Sequence, residues 1–154
     1  MTAYTGSNAF SGRGSVLQYS TNPPSVPYTP LSEIKNIQFS GAKYDLADVT
    51  NMESGNFKEW LPTLADSGDL SFTGNFIPND PTEDALSGFF NNATLVSFEV
   101  VLPAAPAQGY ETSLGTFAFK AYVSSIDRSI EVSKEGTITG KLKITGQVSY
   151  TSGS

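Results

Sequence analysis

The sequence predicts a mainly β fold, a sandwich or barrel with one packed α-helix. Three observations carry this expectation. Several runs alternate apolar and polar residues with period two, as in Leu70-Ser71-Phe72-Thr73-Gly74-Asn75-Phe76 and Val96-Ser97-Phe98-Glu99-Val100. Gly, Pro, Asn and Asp clusters separate these runs. Helical spacing with a start signal occurs once, after Asp80-Pro81. The 154 residues fit one domain, 1–154, long enough to bury roughly 68–70% of the unfolded chain's surface.

Met1 to Gly14 is a polar arm of the kind that orders only when tied down. Ser15 to Tyr19 reads as a short strand. Thr21 to Leu31 holds four prolines, which favour extended loop over a central strand. From Glu33 to Phe39 the apolar residues Ile34, Ile37 and Phe39 fall out of strict alternation, which predicts a bulged or edge strand. Residues 41–67 show no clean period of either kind and read as a long loop, with a strand lying over the core as the alternative.

Leu70, Phe72, Gly74 and Phe76 then mark a half-buried strand. For the helix, Asp80 can cap, Pro81 suits the first helical position and Glu83 stands where a capping box wants it. Its apolar stripe is Ala85, Leu86, Phe89 and Phe90, ending near Asn91. Strands follow over Val96–Leu102 and Phe117–Val123. A short strand is expected at Ile130 and Val132, and a last one with Ile138, Leu142, Ile144 and Val148 inward. Residues 149–154 form a polar tail.

Composition removes most chemistry. Zero Cys excludes disulfides, thiolate catalysis and Cys-type zinc sites. Zero His removes the commonest general base and metal ligand. The net charge of −6 and the scattered Lys and Arg oppose a phosphate grip. Met1 to Ser15 holds no apolar signal core, and no apolar run is long enough to span a bilayer. The expectation is a soluble product of the cytoplasm, with no cofactor and no metal.

Each remaining chemical candidate has a plainer reading. Asp66-Ser67-Gly68-Asp69 and Asp45-Leu46-Ala47-Asp48 lack the spacing of a calcium loop and suit turns. Glu83 and Asp84 fall in a helix first turn, where acids favour the macrodipole, so a catalytic pair is not expected. Ser124 and Ser125 have no His, and Lys120 completes no Ser–Lys motif. Gly12-Arg13-Gly14 is not a phosphate loop.

Segment 41–67 is different. It carries five acids, two bases and the exposed-looking apolar residues Met52, Phe57, Trp60 and Leu61. Trp60 with Tyr44 and Phe57 could form a sugar platform. Anchors for a protein partner use the same residue types, and that reading is preferred. The residues thus describe a non-catalytic, acidic β domain with polar ends and an apolar-armed loop. The economical expectation is self-association.

The order of motifs also carries a resemblance. Ala121-Tyr122-Val123-Ser124-Ser125-Ile126, then Ile130-Glu131-Val132-Ser133-Lys134-Glu135 and Thr137-Ile138-Thr139-Gly140-Lys141-Leu142-Lys143-Ile144-Thr145-Gly146, resembles the C-terminal hairpin region of lambda-like siphophage tail tube proteins. Gly68-Asp69-Leu70-Ser71-Phe72-Thr73-Gly74-Asn75-Phe76-Ile77-Pro78 is similar to the family's strand before its helix. Gly14-Ser15-Val16-Leu17 and Pro30-Leu31 suit its N-terminal strand and loop. The resemblance runs from about Gly12 to Gly146. No immunoglobulin-like domain of the kind some relatives append is expected within these residues.

The resemblance implies a tail-tube fold in hexameric rings, stacked around a tape-measure protein into a tube that later conducts double-stranded DNA. Tail terminator and tail-tip proteins would be further partners. The protein would reside in the virion tail, and in the host cytoplasm during assembly, without membrane insertion. Contractile-tail and type VI secretion tubes share the fold. The family's long loop contacts neighbouring rings, which makes Asp48, Met52, Phe57, Trp60 and Leu61 the assembly candidates and gives the N-terminal arm a bridging role. A lumen that repels phosphate lets DNA slide, so Glu99, Asp127 and Glu131 are the lumen candidates. Lys120, Lys141 and Lys143 lie on comparable faces and could pair with those acids. The alternative is a small carbohydrate-binding β-sandwich of a virion decoration or adhesin.

Overall fold

The computed structural model describes residues 9–25 and 27–153. Most of the expected N-terminal arm, residues 1–8, lies outside the described residues, as do Val26 and Ser154. The strands are β1 (Val16–Ser20), β2 (Thr29–Pro30), β3 (Ile34–Ser40), β4 (Lys43–Asp48), β5 (Trp60–Asp66), β6 (Asp69–Asn75), β7 (Val96–Val101), β8 (Gly115–Ser129) and β9 (Thr137–Ser152), with helix α1 (Pro81–Asn91) between β6 and β7.

Seven strands form one antiparallel sheet in the order β2-β1-β7-β8-β9-β6-β3. The sheet curls until its β3 edge faces β8, which it does not neighbour: the Phe39 ring lies 5.4 Å from Phe117 and 5.7 Å from Phe119. The result is a half-barrel. Cross-strand pairs Val96↔Ala121, Phe98↔Phe119 and Leu70↔Leu142 put Leu17, Leu70, Phe72, Phe98, Ala121 and Leu142 on one face, where all are buried. This is the period-two pattern doing what burial on one face requires.

The bulge foreseen in β3 falls between Ile34 and Asn36. Helix α1 starts where expected. Asp80 accepts the Thr82 N–H at 2.9 Å, and Pro81 occupies the first turn. Glu83 departs from the capping box by accepting the Ile77 N–H at 3.2 Å, which ties the loop before the helix to its first turn.

Four expectations need correction. Residues 149–152 are not a tail but the end of β9, paired with β8 as Thr116↔Thr151 and Gly115↔Ser152, because the ladder with β8 continues past the last apolar position. Phe90 is 47% exposed, because the helix buries Thr82, Glu83 and Leu86 instead and packs Phe89 against Tyr19, 5.4 Å between rings. Ile130 and Val132 form no strand. Strand β8 runs on to Ser129, and the two residues stand in the turn 130–136. Segment 41–67 is not a loop: β4 and β5 make a separate two-stranded sheet, an antiparallel hairpin.

Candidate assembly surfaces

The hairpin is an arm. Its root is built for a tight crossing, with Gly41 at φ 82° and Gly68 at φ 83°. A Cβ on Gly68 would strike the backbone of Ser40 and Gly41, so no other residue fits there. Asp66 accepts the Gly68 N–H at 2.8 Å and the Lys143 ammonium at 3.1 Å, and Lys143 also reaches Asp69 at 3.5 Å. Ser67 Oγ donates to the Gly146 carbonyl. These bonds staple the root to β9.

Beyond the root the arm is exposed on both faces. The register is Tyr44↔Ala65, Leu46↔Pro62, Ala47↔Leu61 and Asp48↔Trp60, with a bulge between Tyr44 and Leu46. Pro62 has no N–H to give to the ladder, so a strand containing it needs a bulge or an edge. The apex, residues 49–59, is ordered by local bonds. Asp48 Oδ1 accepts the Thr50 N–H at 2.9 Å, Asn51 Oδ1 accepts the Glu53 N–H at 2.8 Å, and Thr50 Oγ1 accepts the Glu59 N–H at 2.8 Å.

More than half of the large apolar side chains exposed among the described residues sit on this arm: Tyr44, Leu46, Val49, Met52, Phe57, Trp60, Leu61 and Leu64. Met52 and Phe57 stand fully or mostly in solvent at the apex, and Trp60 and Leu61 lie just below it. The structure therefore brings these four predicted residues to one end of one element. Asp48 stands beside them with its carboxylate engaged inside the arm. Its hydrogen bonds to Thr50 hold its pKa below the ordinary 3.8. Sequence reasoning named Tyr44 only for the sugar-platform alternative and passed over Leu46, Val49 and Leu64 as members of the exposed set.

The second surface is the polar face of the main sheet. Registers Gln18↔Glu99, Ser97↔Lys120, Tyr122↔Lys143, Asp127↔Thr139, Ser71↔Lys141 and Thr73↔Thr139 place these side chains opposite the core. Glu99 and Asp127 belong to this face. Glu99 accepts a bond from Gln18 Nε2 at 2.9 Å. Glu131 does not belong to it: it lies in the 130–136 turn, 3.8 Å from Lys134. The expected pairing of lysines with these acids also fails. Lys143 binds Asp66 and Asp69, because β6 and the arm root bring those carboxylates closer. The face thus alternates in sign, with Lys120, Lys141 and Lys143 among Asp69, Glu99 and Asp127.

A curled sheet with a polar outer face and a projecting hairpin is a fold shared with subunits of tubular injection and tail structures. A chain from the gene transfer agent tail, determined with helical refinement and C6 symmetry, is 16% identical with TM-score 0.71, covering 94% of this chain and all of that one. The SPP1 tail tube protein is 13% identical with TM-score 0.69, covering 95% and 80%. A chain of the anti-feeding prophage baseplate is 10% identical with TM-score 0.73, covering 96% and 98%. Among curated proteins no sequence matches.

The family itself is established by sequence. The model of the lambda phage tail tube protein family matches residues 10–151, and this chain belongs to that family.

Proposed function

We propose that the chain is one tail-tube domain that forms hexameric rings, and that the rings stack into the tube of a phage tail. Family membership supports the tube, and the C6 symmetry of the gene transfer agent tail supports the ring. The observation that carries the reading is the arm. An exposed hairpin bearing Met52, Phe57, Trp60 and Leu61 is an apolar surface a monomer leaves uncovered. Burial against a neighbouring subunit resolves it, with Trp60 as the central anchor.

The tube conducts double-stranded DNA past the polar sheet face. That face alternates in sign, on a chain of net charge −6, so it offers no cluster of cations for phosphate to hold. Glu99 and Asp127 are the acids that line the lumen in this reading. The tape-measure protein fills the tube before DNA does, and terminator and tail-tip proteins close its ends. A tube terminating cap in the anti-feeding prophage has a chain of similar fold. The subunit is structural, not an enzyme. It waits in the host cytoplasm and ends in the virion tail.

Negative-stain electron microscopy across a concentration series, with light scattering on the same samples, tests this. Rings or hollow tubes are expected. A persistent monomer that binds glycans through Tyr44 and Trp60 would replace the reading with a carbohydrate-binding module.

A further inference from the structure

The polar face of the main sheet holds an open hollow of about 340 Å³, apart from the arm and the core. Ser97 lines it from β7. Only 4% of this residue is exposed, and its Oγ finds no hydrogen-bond partner among the described residues. A buried hydroxyl is almost always paired in a folded protein, so this one marks a place where a partner belongs. We propose that the hollow is a carboxylate site, in which the Lys120 ammonium pairs the charge of an acidic side chain and the Ser97 hydroxyl donates to it. Resting on the tube reading, that side chain belongs to the polypeptide that fills the tube.

The sheet register builds the site. Ser97 and Lys120 stand directly opposite on β7 and β8, and Thr145 follows on β9. Opposite residues on one face lie about 4.5–5.5 Å apart at Cβ, so one bound group reaches both the ammonium and the hydroxyl. Beyond them the ladder breaks. Ala118 faces Ser149 while Lys120 faces Thr145, which sets Gly146, Gln147 and Val148 against the single residue Phe119. Gly146, at φ 82°, opens this bulge. Bulges re-aim side chains beside functional sites, and here Gln147 lines the hollow. On the other side residues 21–25 fold back on the end of β1. Ser20 Oγ donates to the Ser25 carbonyl at 2.6 Å and accepts the Ser25 N–H at 3.0 Å. Pro24 and Tyr28 thereby join the lining.

Charge selects the ligand. Lys120 has no ion-pair partner among the described residues. No Asp or Glu among them lines the hollow. The acid of β7, Glu99, is engaged elsewhere. It accepts from Gln18 Nε2 at 2.9 Å, and burial together with its charge holds the Tyr28 hydroxyl above the ordinary 10.0. A lone ammonium matches a single negative charge. A phosphodiester carries that charge too, but it sits mid-chain between two sugars, too broad to reach a hydroxyl this deeply recessed. A carboxylate ends a thin, flexible side chain and reaches it.

Full-length protein, labelled for NMR and kept below its assembly concentration, is titrated with acetyl-glutamate methylamide, its glutamine counterpart and dimethyl phosphate. The amides of Ser97, Lys120 and Gln147 should shift with the glutamate probe alone. Lys120→Gln and Ser97→Ala should each weaken that binding about ten-fold or more. Lys120 is exposed, so Lys120→Gln should fold as the wild type does. Ser97→Ala should melt at or above the wild-type temperature, because it removes an unpaired polar group. No shift, an equal shift from the glutamine probe, or wild-type affinity in either variant overturns the proposal. Tighter binding of dimethyl phosphate moves the site to the DNA backbone and overturns it too. Tubes that form from wild-type protein whose hollow binds no probe sink this inference alone. A hollow that binds the glutamate probe in a protein that never forms rings or tubes sinks the tube reading and the tube-filling partner with it, and leaves the carboxylate site standing.

Discussion

Lys143 stands 3.1 Å from Asp66, and this pair fastens the root of the arm to the main sheet. The carboxyl of Asp66 lies below its ordinary 3.8, first because the Gly68 N–H donates to it and then because of the ammonium. Lys143 is raised above 10.5 by the same partner. Asp66 therefore favours the folded root above pH 3.8, and that contribution is lost as pH falls through its lowered value. Lys143 contributes below 10.5 and is lost only in strong alkali. Protection of amides 42–67, relative to their intrinsic exchange at each pH, should fall in acid while 70–75 stays protected. Lys143→Gln should give the same loss of protection at neutral pH, with little change in overall melting.

Trp60→Ala should leave the fold intact. The side chain is half exposed and lies in the separate β4-β5 sheet, outside the core cluster, so stability should move by no more than about 0.5 kcal/mol. Tubes should fail to form. Circular dichroism and electron microscopy on one preparation separate the two effects, and an unfolded variant would return Trp60 to the core.

Gly140 and Phe72 face each other across β9 and β6, and the ring lies where a Cβ on residue 140 would go. Gly140→Ala should overpack the core and cost about 1–3 kcal/mol. Phe72→Ala should cost about 3–5 kcal/mol. Combining Gly140→Ala with Phe72→Leu should cost less than the two added separately, because the smaller side chain yields the space. Urea denaturation of the wild type, Gly140→Ala, Phe72→Leu and the double variant reads this coupling.

The helix N-terminus joins two acids of opposite behaviour. Asp80 is lowered, chiefly by the Thr82 N–H, and Glu83 is raised by burial against its bond to Ile77. Asp80 contributes above 3.8, with loss as pH falls further. Glu83 contributes below 4.5, with loss as pH rises through its folded value. Asp80→Ala should therefore cost about 1 kcal/mol at pH 7. Glu83→Gln should match or exceed the wild type there, and the difference should close as pH drops toward 4.5. Melting temperatures across pH check both signs.

Burial decides how much of this was legible. Strands with one face in the core write an alternation, and β6, β7, β8 and β9 were read from it directly. The cap at Asp80 was legible because it is local chemistry. The arm was not, because both its faces meet solvent. No burial enforces a period, and Pro62 with its bulge breaks the residue count further. Yet its apolar residues were legible as a cluster that a loop could not bury, which is why Met52, Phe57, Trp60 and Leu61 were found without the hairpin that carries them. Ile130 and Val132 misled for the converse reason: β-branched residues two apart mimic a strand wherever they stand, and here they crown a turn. The acids proposed for the lumen divide the same way. Glu99 was placed on the polar face by strand parity, Asp127 was read as a turn residue and lies on that face because β8 runs on to Ser129, and Glu131 stands in the turn and not on a strand.

The arm has one more consequence. A lone two-stranded ribbon is marginal in water, and this one is held at its root and by bonds within itself. In the proposed tube, docking is expected to tighten it further, so the first contact between free subunits should recover little and each later addition to a formed end more. Such subunits are then expected to stay quiet at concentrations where an existing end grows. Tube length then becomes a question of how many ends are started and when they are sealed.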